Sequence, residues 1–305
     1  MKNRPLKNVA ASVRERLSML RRESGRDYQG LMVQYALERL LYRLSVSPYR
    51  ERFLLKGAIL FTIWQGAPHR MTRDLDLLGF GEASIETLVR VFREICTHSV
   101  DDDGVIFDAA SVKGGEIRAE ALYVGVRITL TALLDSARLP LQIDVGFGDD
   151  FRGIPDEVTM PSLLGMPAAR IRAYRRETVI AEKLEAMVTL GLQNSRLKDY
   201  FDLWFLGHRF PFDGEALAVS IKGTFARRQT KVPAGLPRGL TAQYSSDPAR
   251  LAAWNGFWRK TGISGEKPSL EAVVQFIAEF LGPVLHAVQS DGEFHGTWPS
   301  SGPWG

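Results

Sequence analysis

Cysteine is nearly absent from this chain, and so are long unbroken apolar runs. The 305 residues include one cysteine, Cys96, so neither a disulfide framework nor a thiolate zinc site can be built, and a reducing compartment fits. Cys96 falls in an apolar helical pattern with Phe92 and Ile95, which assigns it to packing. No stretch is expected to approach the ~20 apolar residues that span a bilayer, and the basic start Met1-Lys2-Asn3-Arg4-Pro5 leads into no apolar core of signal-peptide length. The expected location is the cytoplasm, with no membrane partner. Internal repeats are also lacking, and 45% hydrophobic with 24% charged residues is the balance of a globular protein rather than a disordered one.

Positive charge is present, and it is uneven. The net charge is +4, yet residues 165–235 alone carry 12 Lys/Arg against 7 Asp/Glu, a net of +5. A polyanionic partner should meet that half. Arg170, Arg172, Arg175 and Arg176 surround Tyr174, a pattern that could grip a nucleic-acid backbone and stack a splayed base. Arg227, Arg228, Lys231 and Arg238 form a second basic stretch. Solvated surface would look the same.

Apolar spacing predicts helices over 8–26 and 28–45, and Ser84 caps a third carrying Ile85, Leu88, Val89, Phe92 and Ile95. Strands are expected at 73–80, 105–110, 116–121, 123–133 and 139–147, giving a mixed, mostly antiparallel sheet. The segment 151–169, with Pro155, Pro161 and Pro167, reads as a connection. The expected division is 1–155 as an α+β core, 156–289 as a helical half and 290–305 as a loose tail. Helices are predicted over 177–191, 196–207, 214–227, 248–261 and 270–289, the last kinked or broken at Pro283.

The chemistry concentrates in Thr72-Arg73-Asp74-Leu75-Asp76. In a strand Asp74 and Asp76 share one face, and two like charges there are best tolerated with a divalent cation between their oxygens. Upstream, Leu55-Lys56-Gly57-Ala58 places a glycine where backbone N–H groups could approach a phosphate. The two stretches together suggest metal-dependent phosphoryl or nucleotidyl transfer; a solvated edge strand and an ordinary turn would give the same pattern. Asp144, in the apolar run Leu141-Gln142-Ile143-Asp144-Val145, could add a third carboxylate and a second metal. Lys183 sits at the margin of an apolar helical face, either snorkelling beside Glu182 and Glu185 or reaching triphosphate oxygens. Asp199 and Asp202 share a face of the next helix, as solvent-facing charge or as acids that order Lys183 or bind ribose.

These motifs, in order, resemble the AbiEii/MenT family of nucleotidyltransferase toxins from bacterial toxin–antitoxin loci. The likeness runs through Ser12-Val13-Arg14-Glu15-Arg16-Leu17, Tyr35-Ala36-Leu37-Glu38-Arg39-Leu40-Leu41-Tyr42-Arg43-Leu44-Ser45, Leu55-Lys56-Gly57-Ala58, Thr72-Arg73-Asp74-Leu75-Asp76, Glu182-Lys183-Leu184-Glu185-Ala186 and Arg196-Leu197-Lys198-Asp199-Tyr200-Phe201-Asp202-Leu203. Ala58 stands where many relatives carry Gly or Ser, and Thr72 where many carry Ser. The resemblance implies a polymerase-β-like nucleotidyltransferase core with a helical C-terminal half. It further implies Mg²⁺ held by Asp74 and Asp76, with Asp144 as a possible third ligand. Lys183 and Asp199 would be needed for activity, and the NTP would be contacted by Lys56, Gly57, Ala58, Thr72, Arg73 and Asp202. The implied reaction transfers a nucleoside monophosphate from an NTP to RNA, most of all the 3′ acceptor end of tRNA, and a cognate antitoxin restrains it. Transfer to a protein hydroxyl or small molecule, or a non-catalytic NTP- or RNA-binding toxin, are the alternatives.

Overall fold

In a computed structural model the described residues are 8–66, 72, 74–117, 125–148, 155–261 and 266–305. They fall into two compact units, Met1–Tyr174 and Arg175–Gly305. This division lies later than the boundary expected at 155/156. The reason is that the proline-rich connection contains one short strand, Asp156–Thr159, and is followed directly by another, Arg170–Ala173, both of which join the sheet.

The first unit runs α1 (Val9–Ser24), α2 (Tyr28–Val46), β1 (Phe53–Lys56), α3 (Ile59–Gln65), β2 (Asp74–Gly79), α4 (Ile85–Thr97), β3 (Val105–Ile117), β4 (Gly125–Leu134), β5 (Ala137–Gly146), β6 (Asp156–Thr159) and β7 (Arg170–Ala173). Side chains of Asn8, Asp27 and Ser84 accept from backbone N–H groups three residues on and start α1, α2 and α4. The strands form one seven-stranded sheet in the order β3-β4-β5-β2-β1-β7-β6. β2 runs parallel to β5, β1 parallel to β7, and the remaining neighbours are antiparallel. The α+β class and the mostly antiparallel sheet match the expectation.

Alternation along the central strands decides what each sheet face can do. Leu75, Leu77, Ile128, Ile143 and Val145 are buried on one face, where α1, α2 and α4 pack. At Gly114 that packing is so close that a Cβ would lie 2.5 Å from Ile85. Asp74, Arg127, Thr129, Gln142 and Asp144 alternate with these residues and face the other way, exposed or half-buried. Cys96 is buried, and burial pushes its thiol up to about 12. The packing role holds.

Three charged residues of α2 tie the unit together. Glu38 and Arg39 are fully buried and ion-paired at 2.8 Å. Glu38 also accepts from Ser162 Oγ and the Leu163 N–H, and Arg39 donates to the Pro167 carbonyl, which pins the proline-rich connection to the helix. Arg43 grips Asp103 through both Nη1 and Nη2. Two strands expected at 105–110 and 116–121 are one, β3, with a register shift between Asp108 and Lys113.

The second unit contains α5 (Arg176–Leu190), α6 (Leu197–Arg209), β8 (Phe212–Asp213), α7 (Gly214–Arg227), α8 (Ala242–Ser245), α9 (Pro248–Thr261), α10 (Leu270–Gln289) and β9 (Thr297–Trp298). α10 continues through Pro283 instead of breaking. Pro283 lies on the solvent side, so the Glu279 carbonyl it deprives of a donor can turn to water. α10 also overturns one exclusion, since its length and mean hydropathy of 1.3 are those of a membrane span. Its Val273, Val274, Ile277, Phe280, Leu281 and Val284 are buried in the core of this unit.

The loose tail is a second correction. β9 pairs with β8, Trp298 is 2% exposed and donates from Nε1 to the Gly207 carbonyl at 2.8 Å. Trp304 donates to the Phe280 carbonyl. Two indoles, one buried and one half-buried, that satisfy their N–H groups fix a segment whose composition alone reads as loose.

Candidate active site

Sheet register assembles the acidic centre. Asp76 on β2 lies between Lys56 on β1 and Asp144 on β5, and Arg127 on β4 is next in line beyond Asp144. One residue pair along, Asp74 is followed by Gln142, Thr129 and Lys113. Cross-strand partners share a face, so the first row sets two adjacent carboxylates, Asp76 and Asp144, between two cations, Lys56 and Arg127. Asp74 and Asp76 therefore occupy an accessible polar face, as the strand alternation predicts.

Gly57 explains how close the backbone comes. Its φ is +77°, and a Cβ there would sit 1.9 Å from Asp76 Oδ2. Only glycine fits, because the conformation is left-handed and the space is already filled by the carboxylate. Gly57→Ala is expected to displace that carboxylate by an ångström or more and to cut any activity dependent on it by about 10²-fold. A kinetic assay beside a thermal melt checks this; an unchanged rate would mean that Asp76 does not need its present position.

Lys56 extends over the same face. Its Nζ is 5.6 Å from the Tyr174 ring centroid, and a Cβ on Gly146 would lie 3.5 Å from it. Tyr174 is 1% exposed. It is thus the floor beneath Lys56, which corrects the expectation that it stacks a base. Ala58 is buried ahead of the two-turn α3, and half-buried Thr72 donates from Oγ1 to the Asp74 carbonyl at 3.1 Å. Arg73 lies outside the described residues.

Asp144 has a partner that the sequence reading missed. Arg127 Nε and Nη2 donate to its two oxygens at 2.9 and 2.8 Å, and this bidentate bond, with Asp74 and Asp76 nearby, raises the Arg127 pKa. Asp144 stands beside Asp76 as expected, but as the base of an arginine fork. Among the described residues no group of three or more His, Cys, Asp or Glu side chains could hold a metal ion. The donor set that fits a divalent cation is the pair Asp74 and Asp76. Two hard carboxylates on an open face leave the remaining positions for water and phosphate oxygens, which is how Mg²⁺ is usually bound.

In the second unit, α5 and α6 bring the other predicted residues together. Lys183 Nζ lies 2.6 Å from Asp199 Oδ1 and 2.9 Å from Asp202 Oδ2, and Arg196 Nε is 2.8 Å from Asp199 Oδ2. Burial works against the Lys183 charge, but the two carboxylates outweigh it and hold the pKa above the usual lysine value. Asp199 and Asp202 are 1% and 0% exposed. They order Lys183, and neither is a solvent-facing charge. A carboxylate as deep as Asp202 offers no surface to a ribose, which corrects its assignment as a nucleotide contact.

Most of the basic residues have local partners within their own unit. Arg170 pairs with Glu157 and Arg172 with Glu51, both within the first unit. Arg175 is near Glu177 at 3.9 Å, Arg176 lies over the Phe210 ring at 4.5 Å, and Arg227 donates to Thr224. Lys231 is exposed. Arg228 is a structural residue, with Nη1 donating to Glu185 at 2.7 Å and Nη2 3.3 Å from Glu182. Burial pushes the Glu185 pKa up, yet hydrogen bonds from Thr230, Arg228 and Thr189 prevail and hold it below the usual carboxylate range. A depressed folded-state pKa stabilises above the unfolded value and loses that stabilisation as pH falls through the folded one. Glu185→Gln should cost about 2 kcal/mol at neutral pH, and its melting curve should converge on the wild type in acid; a pH-independent gap would rule out the charge as the cause.

Residues 39–276 match the family described as nucleotidyl transferase AbiEii toxin, type IV TA system, a span that includes Lys56, Gly57, Asp74, Asp76, Asp144, Lys183, Asp199 and Asp202. A Helicobacter pylori structure described as a candidate nucleotidyltransferase is similar at 17% identity, covering 88% of this chain and 100% of that chain with a TM-score of 0.47. The H. pylori protein JHP933 is similar at 16% identity, covering 87% and 94% with a TM-score of 0.46. No curated protein matches the sequence.

Proposed function

The chain belongs to the AbiEii family of nucleotidyl transferase toxins of type IV toxin–antitoxin systems, and from that premise we propose that it transfers a nucleoside monophosphate from an NTP to the 3′ end of an RNA, tRNA above all. The observation that carries the reading is the pair Asp74 and Asp76 on an open sheet face, with Gly57 backbone against one and Lys56 opposite it in register. In the reaction an acceptor hydroxyl oxygen bonds to the α-phosphorus, the bond to the β-phosphate oxygen breaks, and pyrophosphate leaves as the hydroxyl proton passes to solvent. A divalent cation, Mg²⁺ in this proposal, would be held by Asp74 and Asp76 and would stabilise the charge that develops on the phosphoryl oxygens.

The chain's own groups do the positioning. Lys56 lies where it would contact the triphosphate, and the backbone at Gly57-Ala58 can approach it without a side chain in the way. Asp144 orients Arg127, whose exposed guanidinium keeps other donor groups for a phosphate. Arg170, Arg172, Arg175, Arg176, Arg227 and Lys231 would contribute long-range attraction for RNA rather than a shaped pocket. A cognate antitoxin is the partner the family implies, and the cytoplasm is where RNA, NTP and a reduced Cys96 coincide.

The test incubates the protein with each α-labelled NTP, Mg²⁺ and total tRNA. Label is expected on RNA, dependent on the metal and lost in Asp76→Asn. Label on protein alone, or on nothing with all four NTPs, would reject the RNA acceptor.

A further inference from the structure

We propose that the groove beside Asp74 is the acceptor subsite, where the terminal ribose and last phosphodiester of the RNA lie; this rests on the nucleotidyl-transfer reading above. The groove has a volume of about 720 Å³ and is lined by Asp74, Gln142, Thr129, Thr131, Ser111 and Lys113 among others. That size is within the ~300–1,000 Å³ of pockets that hold small organic ligands. It opens on the same sheet face as the acidic pair and away from Lys56.

The row through Asp74 runs in register across Gln142 and Thr129 to Lys113. Three strands thus lead from a candidate metal ligand, over an amide and a hydroxyl, to an exposed ammonium. Ser111 and Thr131 add two further hydroxyl-bearing residues. Amide and hydroxyl groups suit sugar hydroxyls and base edges, and one ammonium suits one phosphodiester.

Charge separates the two substrates. The groove's charged lining is Asp74 and Asp108 against Lys113; with Asp74 engaged by the cation, a single ammonium beside Asp108 is too little positive charge for a triphosphate. The terminal nucleotide of an RNA brings a single negative charge, which Lys113 can meet. The triphosphate is better served on the opposite side of Asp76, beside Lys56. The two substrates then approach the acidic pair from opposite sides, as displacement at the α-phosphorus requires.

β3 is shaped for this. Across its register shift between Asp108 and Lys113, the Thr131 N–H donates to Ser111 Oγ at 2.8 Å. The bulge breaks the flat strand where the groove lies, a placement common beside functional sites.

The experiment has two readouts. First, an RNA oligonucleotide with 4-thiouridine as its 3′-terminal residue is photo-crosslinked to the full chain without NTP. Second, steady-state constants for RNA and NTP are compared between wild type and Lys113→Ala, an exposed position whose truncation leaves the fold in place. Crosslinks are expected on peptides of β3, β4 or β5, with KM for RNA up about tenfold, its salt dependence reduced by about one counterion, and KM for NTP unchanged. Crosslinks elsewhere together with an unchanged KM for RNA overturn the groove while leaving the transferase reading intact. A rise in KM for NTP instead assigns the groove to the triphosphate and also overturns it. If the wild type labels no RNA but still crosslinks in the groove, the transfer reading fails and the RNA subsite stands.

Discussion

Asp76→Asn is expected to lower nucleotidyl transfer by about 10³-fold or more and to leave the melting temperature nearly unchanged. Asp76 is half-buried at the centre of the acidic row, flanked in register by Lys56 and Asp144. Asparagine keeps the shape and removes the charge that a cation and its triphosphate require. It also removes the repulsion from Asp74 together with the attraction of Lys56, so the fold changes little while the reaction is lost. Loss of function with retained stability marks a residue kept for chemistry. Initial rates at saturating NTP, paired with a thermal melt, measure both. A variant that melts far below the wild type would instead place Asp76 among the supports of the sheet.

The opposite pattern is expected at Lys183. Lys183→Met leaves Asp199 and Asp202, at 1% and 0% exposure, facing each other without their ammonium. Breaking one side of a buried ion cluster costs about 3–5 kcal/mol, a fall in melting temperature on the order of 10 °C. Activity should be lost with the fold of the second unit. Adding Asp199→Asn and Asp202→Asn to the same chain should recover much of the stability, since the repelling charges are gone, and the cycle measures their coupling. The sign with pH follows from the raised pKa. The stabilisation is complete below the unfolded-state lysine value and is lost only as pH rises through the higher folded value. A destabilisation already absent at neutral pH would contradict this account of the cluster.

How far the sequence anticipates these results depends on the range of the interaction concerned. α1, α2 and α4 are legible because their apolar faces repeat with helical spacing, and Asp74 and Asp76 because strand alternation puts both on one face. β1 is not. Phe53, Leu54 and Leu55 are all buried, so the strand has no alternation and merges with the apolar start of α3. β6 and β7 are four residues each, one inside and one just after a proline-rich segment whose composition suggests a connection. Trp298 and Trp304 fix the tail through partners about 90 and 24 residues away, beyond any local pattern.

Within the site, the missed residue is Arg127, and a signal for it existed. The turn at Asp135-Ser136 joins β4 to β5 with Leu134 opposite Ala137, and Asp135 adopts φ +53° as tight hairpins require. Counting back from that turn places Arg127 opposite Asp144. Lys183 is the converse case. Its motif is visible in the sequence, but the depth of Asp199 and Asp202 follows from α5 packing on α6, which no spacing discloses. The basic count of residues 165–235 was legible as a number, and its dispersal among Glu51, Glu157, Glu182 and Glu185 was not.

The central claim is that Asp74 and Asp76 hold the metal of a nucleotidyl transferase. Crystals grown with Mn²⁺ and a non-hydrolysable NTP analogue test it most directly, through anomalous scattering. The account predicts a manganese peak within ligand distance of Asp74 and Asp76 and phosphates toward Lys56, with Arg127 still bound to Asp144. A peak away from both aspartates, or a triphosphate bound with neither of them near its metal, would contradict it.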